Sequence, residues 1–155
     1  MDKATRLTDR MLARHFALQH SWLDETDCDR LEEAFAELDR HGIVARQNFA
    51  CCQSCGHAEI WEAIDDTMQY RPVLGYVFFH QQDTDNAVQG GYLYLAYGAV
   101  DGSSSKSLRV GHEVVAALQR AGLPVEWSGD LNKRICIPNL DWRRRRLPPQ
   151  MSRLL

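Results

Sequence analysis

The stretch Val73-Leu74-Gly75-Tyr76-Val77-Phe78-Phe79-His80 is the most apolar part of this chain. A short apolar run bounded by turn signals is typical of a strand that is buried on both faces of a sheet. Arg71-Pro72 comes directly before it and ends the preceding helical pattern, because a residue that precedes proline disfavours helix. We therefore take this stretch as the central strand and place the other elements around it.

Hydrophobic periodicity predicts the element order αα-β-α-β-β-α-ββ. The order indicates a single α+β domain with a mixed sheet of about five strands, an N-terminal helical hairpin and helices mainly on one face. The domain is expected to span residues 1–142, and residues 143–155 to form a basic, flexible C-terminal tail. The predicted helices cover 5–23, 26–41, 54–70 and 105–121, and the predicted strands cover 43–50, 73–80, 92–98, 124–127 and 133–137.

The bulk composition is that of an ordinary globular domain. The chain has 155 residues, of which 45% are hydrophobic and 25% are charged, and this fits one core. No apolar run approaches the roughly 20 residues that cross a bilayer. The charged start Met1-Asp2-Lys3 lacks the apolar segment of a secretory signal, so we expect a cytoplasmic protein with reduced thiols and no membrane partner.

Charge is distributed unevenly along the chain. Residues 24–66 carry twelve acids and three bases, whereas residues 104–155 carry ten bases and four acids. The two regions can attract each other within the fold, or the acidic helices can bind a basic protein partner. Trp142 and Arg143-Arg144-Arg145-Arg146 could contact nucleic acid, but the net charge of -3 and the lack of a nucleic-acid-binding module argue against it.

Three of the five cysteines lie in Asn48-Phe49-Ala50-Cys51-Cys52-Gln53-Ser54-Cys55-Gly56-His57, between a predicted strand and a predicted helix. Cys52 and Cys55 form a C-x-x-C unit. At a helix N-terminus the backbone N–H groups and the helix dipole stabilise a thiolate, which would make Cys52 nucleophilic. Cys55 is then close enough to resolve a mixed disulfide.

The same cysteines support two other interpretations. Cys52-Gln53-Ser54-Cys55-Gly56 has the form of half a zinc site, with Gly56 letting the backbone curl so that its N–H groups face sulfur. Cys51 or His57 could supply a third ligand, although Cys51 and Cys52 point apart if the strand persists. Alternatively, small buried thiols fill a tight junction, as we expect for Cys28 in the second helix.

A second polar group follows the central strand. If strand 43–50 lies parallel to strand 73–80, His80 comes to the same sheet edge as the cysteines. His80 could then hold Cys52 or Cys55 as a thiolate, with Asp83 orienting its imidazole. Alternatively, Asp83 caps a short turn of helix and His80 bonds only to a loop.

Three stretches carry a resemblance to an uncharacterised bacterial domain family of unknown function. They are residues 48–56, the segment Gly75-Tyr76-Val77-Phe78-Phe79-His80-Gln81-Gln82-Asp83-Thr84, and Leu93-Tyr94-Leu95-Ala96-Tyr97-Gly98. The resemblance extends from about residue 30 to residue 145. It implies that these are the family's signature stretches, and it assigns no activity or site to any residue.

The sequence thus predicts a cysteine-centred site, redox or nucleophilic, in which Cys52, Cys55, His80 and Asp83 are the candidate catalytic residues. One alternative is a non-catalytic immunity or regulatory module that binds a basic protein, and another is a zinc-binding protein. The sequence leaves open whether the protein is an enzyme, which cofactor it takes and which oligomer it forms.

Overall fold

The computed structural model describes residues 3–22 and 24–146. Within these ranges the chain forms five helices and four strands, which confirms a single α+β domain. In chain order the elements are α1 (Lys3–Gln19), α2 (Asp27–Arg40), β1 (Ile43–Arg46), α3 (Gln53–Met68), β2 (Gly75–Phe78), α4 (Gln81–Gly90), β3 (Leu93–Ala99), α5 (Ser104–Arg120) and β4 (Ile135–Ile137).

The four strands form one mixed sheet in the order β1-β2-β3-β4. β1 and β2 are parallel, with Val44 opposite Tyr76, and the other two pairs are antiparallel. The parallel pair is joined by α3, as a parallel connection requires a crossover. The carboxyl ends of β1 and β2 therefore meet at one sheet edge, which is the condition for His80 to share that edge with the cysteines.

The strand β2, from the apolar stretch 73–80, is buried on both faces. Val77, Phe78 and Phe79 have no solvent-exposed surface. Val77 and Phe79 pack in a cluster with the apolar stripes of α2 and α5, whereas Phe78 packs with Ile60 and Ile64 of α3. The sheet is thus covered by α2 and α5 on one face and by α3 on the other.

The prediction of about five strands is wrong by one. The segment 124–127 makes a single bridge, in which Glu126 and Cys136 exchange backbone hydrogen bonds of 2.8 and 3.0 Å. Pro124 has no N–H to donate, so it cannot extend the pairing in that direction. The Trp127 ring packs edge-on to Tyr97, with ring centroids 5.5 Å apart, and beside Gly111 of α5.

The predicted N-terminal helical hairpin does not form a packed pair. α1 ends at Gln19, and none of its residues is buried. α2 uses its apolar stripe, which includes Leu31 and Phe35, against the sheet and α5. That stripe is therefore not available to α1, and Leu7 and Met11 are exposed. The structure shows two consecutive helices of which only α2 belongs to the core.

The basic C-terminal segment contacts the start of α2. The backbone N–H of Asp141 donates to Asp27 at 3.0 Å, and the guanidinium of Arg145 contacts Asp29 at 3.2 Å. The backbone N–H of Arg146 donates to Gln19 at 2.8 Å. Residues 143–146 therefore run along the body of the domain. Residues 147–155 lie outside the described part of the chain, so the predicted flexible tail stays a prediction.

Among the described residues, no helix has the length and apolar character needed to cross a bilayer.

Candidate metal centre

The cysteine loop follows β1 and turns sharply. β1 ends at Arg46 and not near residue 50, because Asn48 and Ala50 have left-handed backbone angles of φ 50° and 58°. Two backbone hydrogen bonds nevertheless hold the loop against the chain beyond β2: Phe49 N to Phe79 O at 2.8 Å, and Gln81 N to Ala50 O at 3.1 Å. The loop therefore has a fixed position at the sheet edge.

The turn brings three sulfur atoms together at the N-terminus of α3. The Sγ atoms of Cys51, Cys52 and Cys55 all lie within 4.8 Å of one another, and Cys51 Sγ lies 3.4 Å from Cys55 Sγ. Cys51 and Cys52 were expected to point apart only if the strand persisted through them, and β1 ends before them at Arg46. Cys51, a possible third ligand from the sequence, lies in the group.

The local environment separates the pKa values of two of these thiols. The backbone N–H and side chain of Cys55 lower the pKa of the Cys52 thiol, and the N–H of Ser54 contributes in the same direction. Cys52 is the N-cap residue of α3, so these N–H groups are the unpaired donors of the helix start. The neighbouring sulfurs of Cys51 and Cys52 raise the pKa of Cys55 to about 12.

The exposure of these thiols leaves them accessible from solution. Cys51 is exposed, and Cys52 and Cys55 are half-buried. The other two cysteines are buried in the core: desolvation raises the pKa of Cys28 to about 11 and also raises the pKa of Cys136. All five cysteines are free thiols. The cluster and the two buried thiols thus differ in their access to solvent.

His57 lies next to the cluster in sequence but faces the sheet. Its ring packs edge-on to Phe78, with centroids 5.2 Å apart, and to Tyr76 at 6.2 Å. Partial burial lowers the pKa of His57, with a further contribution from the charge of Arg134. No histidine in the described part of the chain joins the three sulfurs in one ligand group. Among the described residues, three thiols are therefore the candidate ligands at this point.

His80 and Asp83 form a buried cluster of their own at the start of α4. His80 is the N-cap residue: its Nδ1 accepts from the backbone N–H of Asp83 at 3.2 Å, and its backbone N–H donates to the Asp83 carboxylate at 3.2 Å. His80 Nε2 lies 3.0 Å from the same carboxylate. A neutral imidazole fits these contacts, with Nδ1 as the acceptor. Desolvation lowers the pKa of His80 against the opposing effect of Asp83.

Arg134 completes this second cluster and was missed by the sequence analysis. Its Nη1 donates to both carboxylate oxygens of Asp83, at 2.9 and 3.1 Å. Its guanidinium carbon lies 5.2 Å from the centre of the Tyr94 ring. No local pattern could have indicated this contact, because 51 residues separate Arg134 from Asp83.

The cysteine cluster and the His80–Asp83 cluster are neighbours. Among the described residues, no hydrogen bond joins their functional groups. His80 makes its ring contacts with Asp83, and the three sulfurs group with one another. Structural links do connect them, since Thr84 Oγ1 donates to Asn48 Oδ1 at 2.8 Å. The candidate residues Cys52 and Cys55 are brought together, as are His80 and Asp83. The catalytic roles predicted for all four stay predictions.

The chain matches a known protein family over most of its length. The model of a family described as a domain of unknown function, DUF6891, matches residues 1–146. The chain belongs to this family. The match agrees with the predicted membership of an uncharacterised family and extends it to the N-terminal helix. No curated protein and no solved structure matches the chain.

Proposed function

We propose that this domain binds a thiophilic metal ion, specifically zinc, through Cys51, Cys52 and Cys55. The observation that supports the proposal is that three sulfurs lie together. A dithiol redox site would need only two. A tetrahedral zinc with Zn–S bonds of about 2.3 Å separates its sulfur ligands by about 3.8 Å. The sulfurs of Cys51 and Cys55 are 3.4 Å apart, and all three sulfurs lie within 4.8 Å of one another. The side chains therefore need to move only a little to reach the separation in a zinc site.

The acid-base properties of the cluster suit a metal ligand set. Cys52 has a lowered pKa, so it offers a thiolate more readily than an ordinary cysteine. The high pKa of Cys55 arises from hydrogen bonds to the sulfurs of its two neighbours and then from repulsion by their charges. A divalent cation between the sulfurs would remove that repulsion and displace the remaining protons. We therefore expect metal binding to weaken as the pH falls.

The fourth coordination position is proposed to lie on the solvent side, since Cys51 is exposed and no fourth protein ligand joins the group within the described chain. A site with three protein ligands keeps a position for water or an exogenous ligand, in contrast to a closed structural site. The proposed function is thus a metal site that is open to a small molecule or to a donor group of another protein.

Zinc titration with single cysteine variants tests this function. We expect one equivalent to bind to the reduced protein. The variants Cys51→Ser, Cys52→Ser and Cys55→Ser should each weaken binding by at least about tenfold, because each removes one of three thiolates. Cys136→Ser is the matched control, since Cys136 is buried away from the group, and it should keep the wild-type affinity. Equal affinity in all four variants would reject the site.

A second candidate function is thiol–disulfide exchange, which the lowered pKa of Cys52 favours. In that reaction the Cys52 thiolate attacks a substrate disulfide and displaces one substrate thiolate. Cys55, after losing its proton to solvent, then attacks Cys52 Sγ and releases the second substrate thiolate. The domain acquires a disulfide and the substrate gains two electrons. Cys51 provides an alternative resolving thiol, because its sulfur lies within 4.8 Å of Cys52 Sγ.

The pH dependence of alkylation in metal-free protein tests the second function. Cys52 should react with iodoacetamide at a lower pH than an ordinary thiol, because its lowered pKa gives thiolate earlier. Cys52→Ser should remove this fast phase, whereas Cys136→Ser should leave it intact. A midpoint of reaction at or above the ordinary thiol pKa of about 8.5 would contradict a nucleophilic role for Cys52.

A further inference from the structure

A cavity of about 540 Å³ lies between α2 and α5, away from the cysteines. Ile43 at the start of β1 and Val73 before β2 contribute to its wall, so it opens at the amino ends of the two parallel strands. The cysteine loop follows the carboxyl end of β1 and belongs to the opposite end of the sheet. The cavity is therefore independent of the proposed metal site.

The floor of the cavity is apolar. Leu38, Ile43 and Val110 are buried residues of the core, and their side chains line the cavity together with Val73. Leu74, which is 62% exposed, places a further apolar side chain at the wall. A volume of this size that combines an apolar floor with charged groups around it suits a small-molecule site.

The cavity is also elongated along α5. Its lining residues on that helix extend from Lys106 to Arg120, which corresponds to about 21 Å of helix axis. A cavity of 540 Å³ that follows a wall of this length is narrow. It suits an extended chain better than a fused ring system.

The charged rim contains one cation without an ion pair among the described residues. Arg120 is paired with Glu37 at 2.6 Å, and Lys106 is paired with Asp101. Arg109 has no ion pair or hydrogen bond with any side chain in the part of the chain that the structure describes, and it faces a cavity with an apolar floor. A carboxylate is the group that a guanidinium binds best, through two parallel N–H···O bonds.

We propose that this cavity binds an extended aliphatic acid, with its carboxylate on Arg109 and its chain on Leu38, Ile43 and Val110. Glu113, one turn further along α5, also lines the cavity. Its negative charge disfavours a second acidic group on the ligand. The ligand class is therefore a monocarboxylate with an apolar tail, and the site is a binding function separate from the metal centre.

Titration of the full-length protein with decanoate, in buffer that contains a metal chelator, tests the proposal. We expect saturable binding with a dissociation constant below about 1 mM, together with chemical-shift changes at the methyl groups of Leu38 and Val110. Arg109→Gln should weaken binding by about tenfold or more, since it removes the charge-assisted contact. Leu74→Asn should weaken it by a few-fold through the loss of apolar surface.

The control is Arg40→Gln, which makes the same change of charge on α2. Arg40 is exposed and is not a lining residue, so its replacement should leave decanoate affinity unchanged. Decanol tests the contribution of the carboxylate and should bind more weakly than decanoate. Three results would overturn the proposal: no saturation by about 1 mM, equal affinity of the wild type and Arg109→Gln, or equal affinity for decanol and decanoate.

Discussion

At the scale of single residues, Gly56 shows how closely the helix after the cysteine loop packs on the sheet. From its position after Cys55, Gly56 was predicted to let the backbone curl toward sulfur. In the structure it is an ordinary helical residue whose N–H donates to Cys52 O at 2.9 Å. Its importance is its closeness to the sheet, because a Cβ at this position would lie 2.3 Å from Phe78 Cε2.

Gly56→Ala should therefore destabilise the protein by about 1–3 kcal/mol, as overpacking does in a rigid core. Gly90→Ala is the matched control, because Gly90 is also helical and has nothing within 4 Å of its Cβ position. That variant should gain about 0.5–1 kcal/mol from helix propensity. Urea denaturation measures both free energies of unfolding. A gain in stability for Gly56→Ala would disprove the close packing of α3 on β2.

The same scale shows which site residues a sequence can reveal. Cys52 and Cys55 are recognisable from their spacing and from the helical pattern that follows. The position of Cys51 depends on a left-handed Ala50, and alanine gives no sign of that conformation because glycine and asparagine usually adopt it. The contact between Arg134 and Asp83 depends on how β3 and β4 pair, which no local pattern records.

At the scale of elements, α4 begins at a buried histidine that forms a capping box with Asp83. Desolvation lowers the pKa of His80, so the folded protein binds this proton less tightly than the unfolded chain, whose pKa is about 6.5. The stabilising contribution of neutral His80 is thus complete above pH 6.5. It is lost as the pH falls through the lower pKa of the folded state.

We predict that His80→Asn reduces the loss of stability between pH 7 and pH 5. Asparagine is a favourable N-cap residue that does not titrate in this range, so it keeps an acceptor for the N–H of Asp83. Urea unfolding of both proteins at the two pH values measures the effect. Comparison with the wild type cancels the contribution of the other histidines. An unchanged or larger loss of stability in the variant would show that His80 is not buried in its neutral form.

The elements also differ in how far the sequence determines them. The apolar run 73–80 predicts a central strand because its composition allows no exposed face, and β2 confirms it. The apolar stripe on α1 predicts a buried face equally well. No residue of α1 is buried, however, because the apolar residues of α2 already pack against the sheet and α5. Periodicity shows that a helix has an apolar face. It does not show whether another element is available to cover that face.

At the scale of the whole molecule, the uneven charge distribution is partly neutralised within the fold. The acids of α2 meet bases from distant segments: Asp29 pairs with Arg145, and Glu37 pairs with Arg120. Asp39 pairs with Arg46 and Arg71. The pairs made by Arg145 and Arg120 support attraction between the two charged regions within the fold. The alternative, a basic protein partner bound by the acidic helices, stays a prediction.

The arrangement of the whole molecule also explains why the cysteines converge. The parallel pairing of β1 and β2 brings the residues after each strand to one edge. Bonds from Phe49 to Phe79 and from Gln81 to Ala50 then fix the loop before α3 begins. A metal site at this edge therefore depends on the fold as well as on the C-x-x-C spacing.

X-ray absorption spectroscopy of the zinc-loaded protein tests the central claim most directly, because it counts the sulfur atoms bound to the metal. The three-thiolate site predicts three sulfur ligands at about 2.3 Å and one nitrogen or oxygen ligand at about 2.0–2.2 Å. Cys51→Ser should reduce the sulfur count to two. A zinc with two sulfur ligands or fewer in the wild type, or a count that Cys51→Ser does not change, would contradict the site.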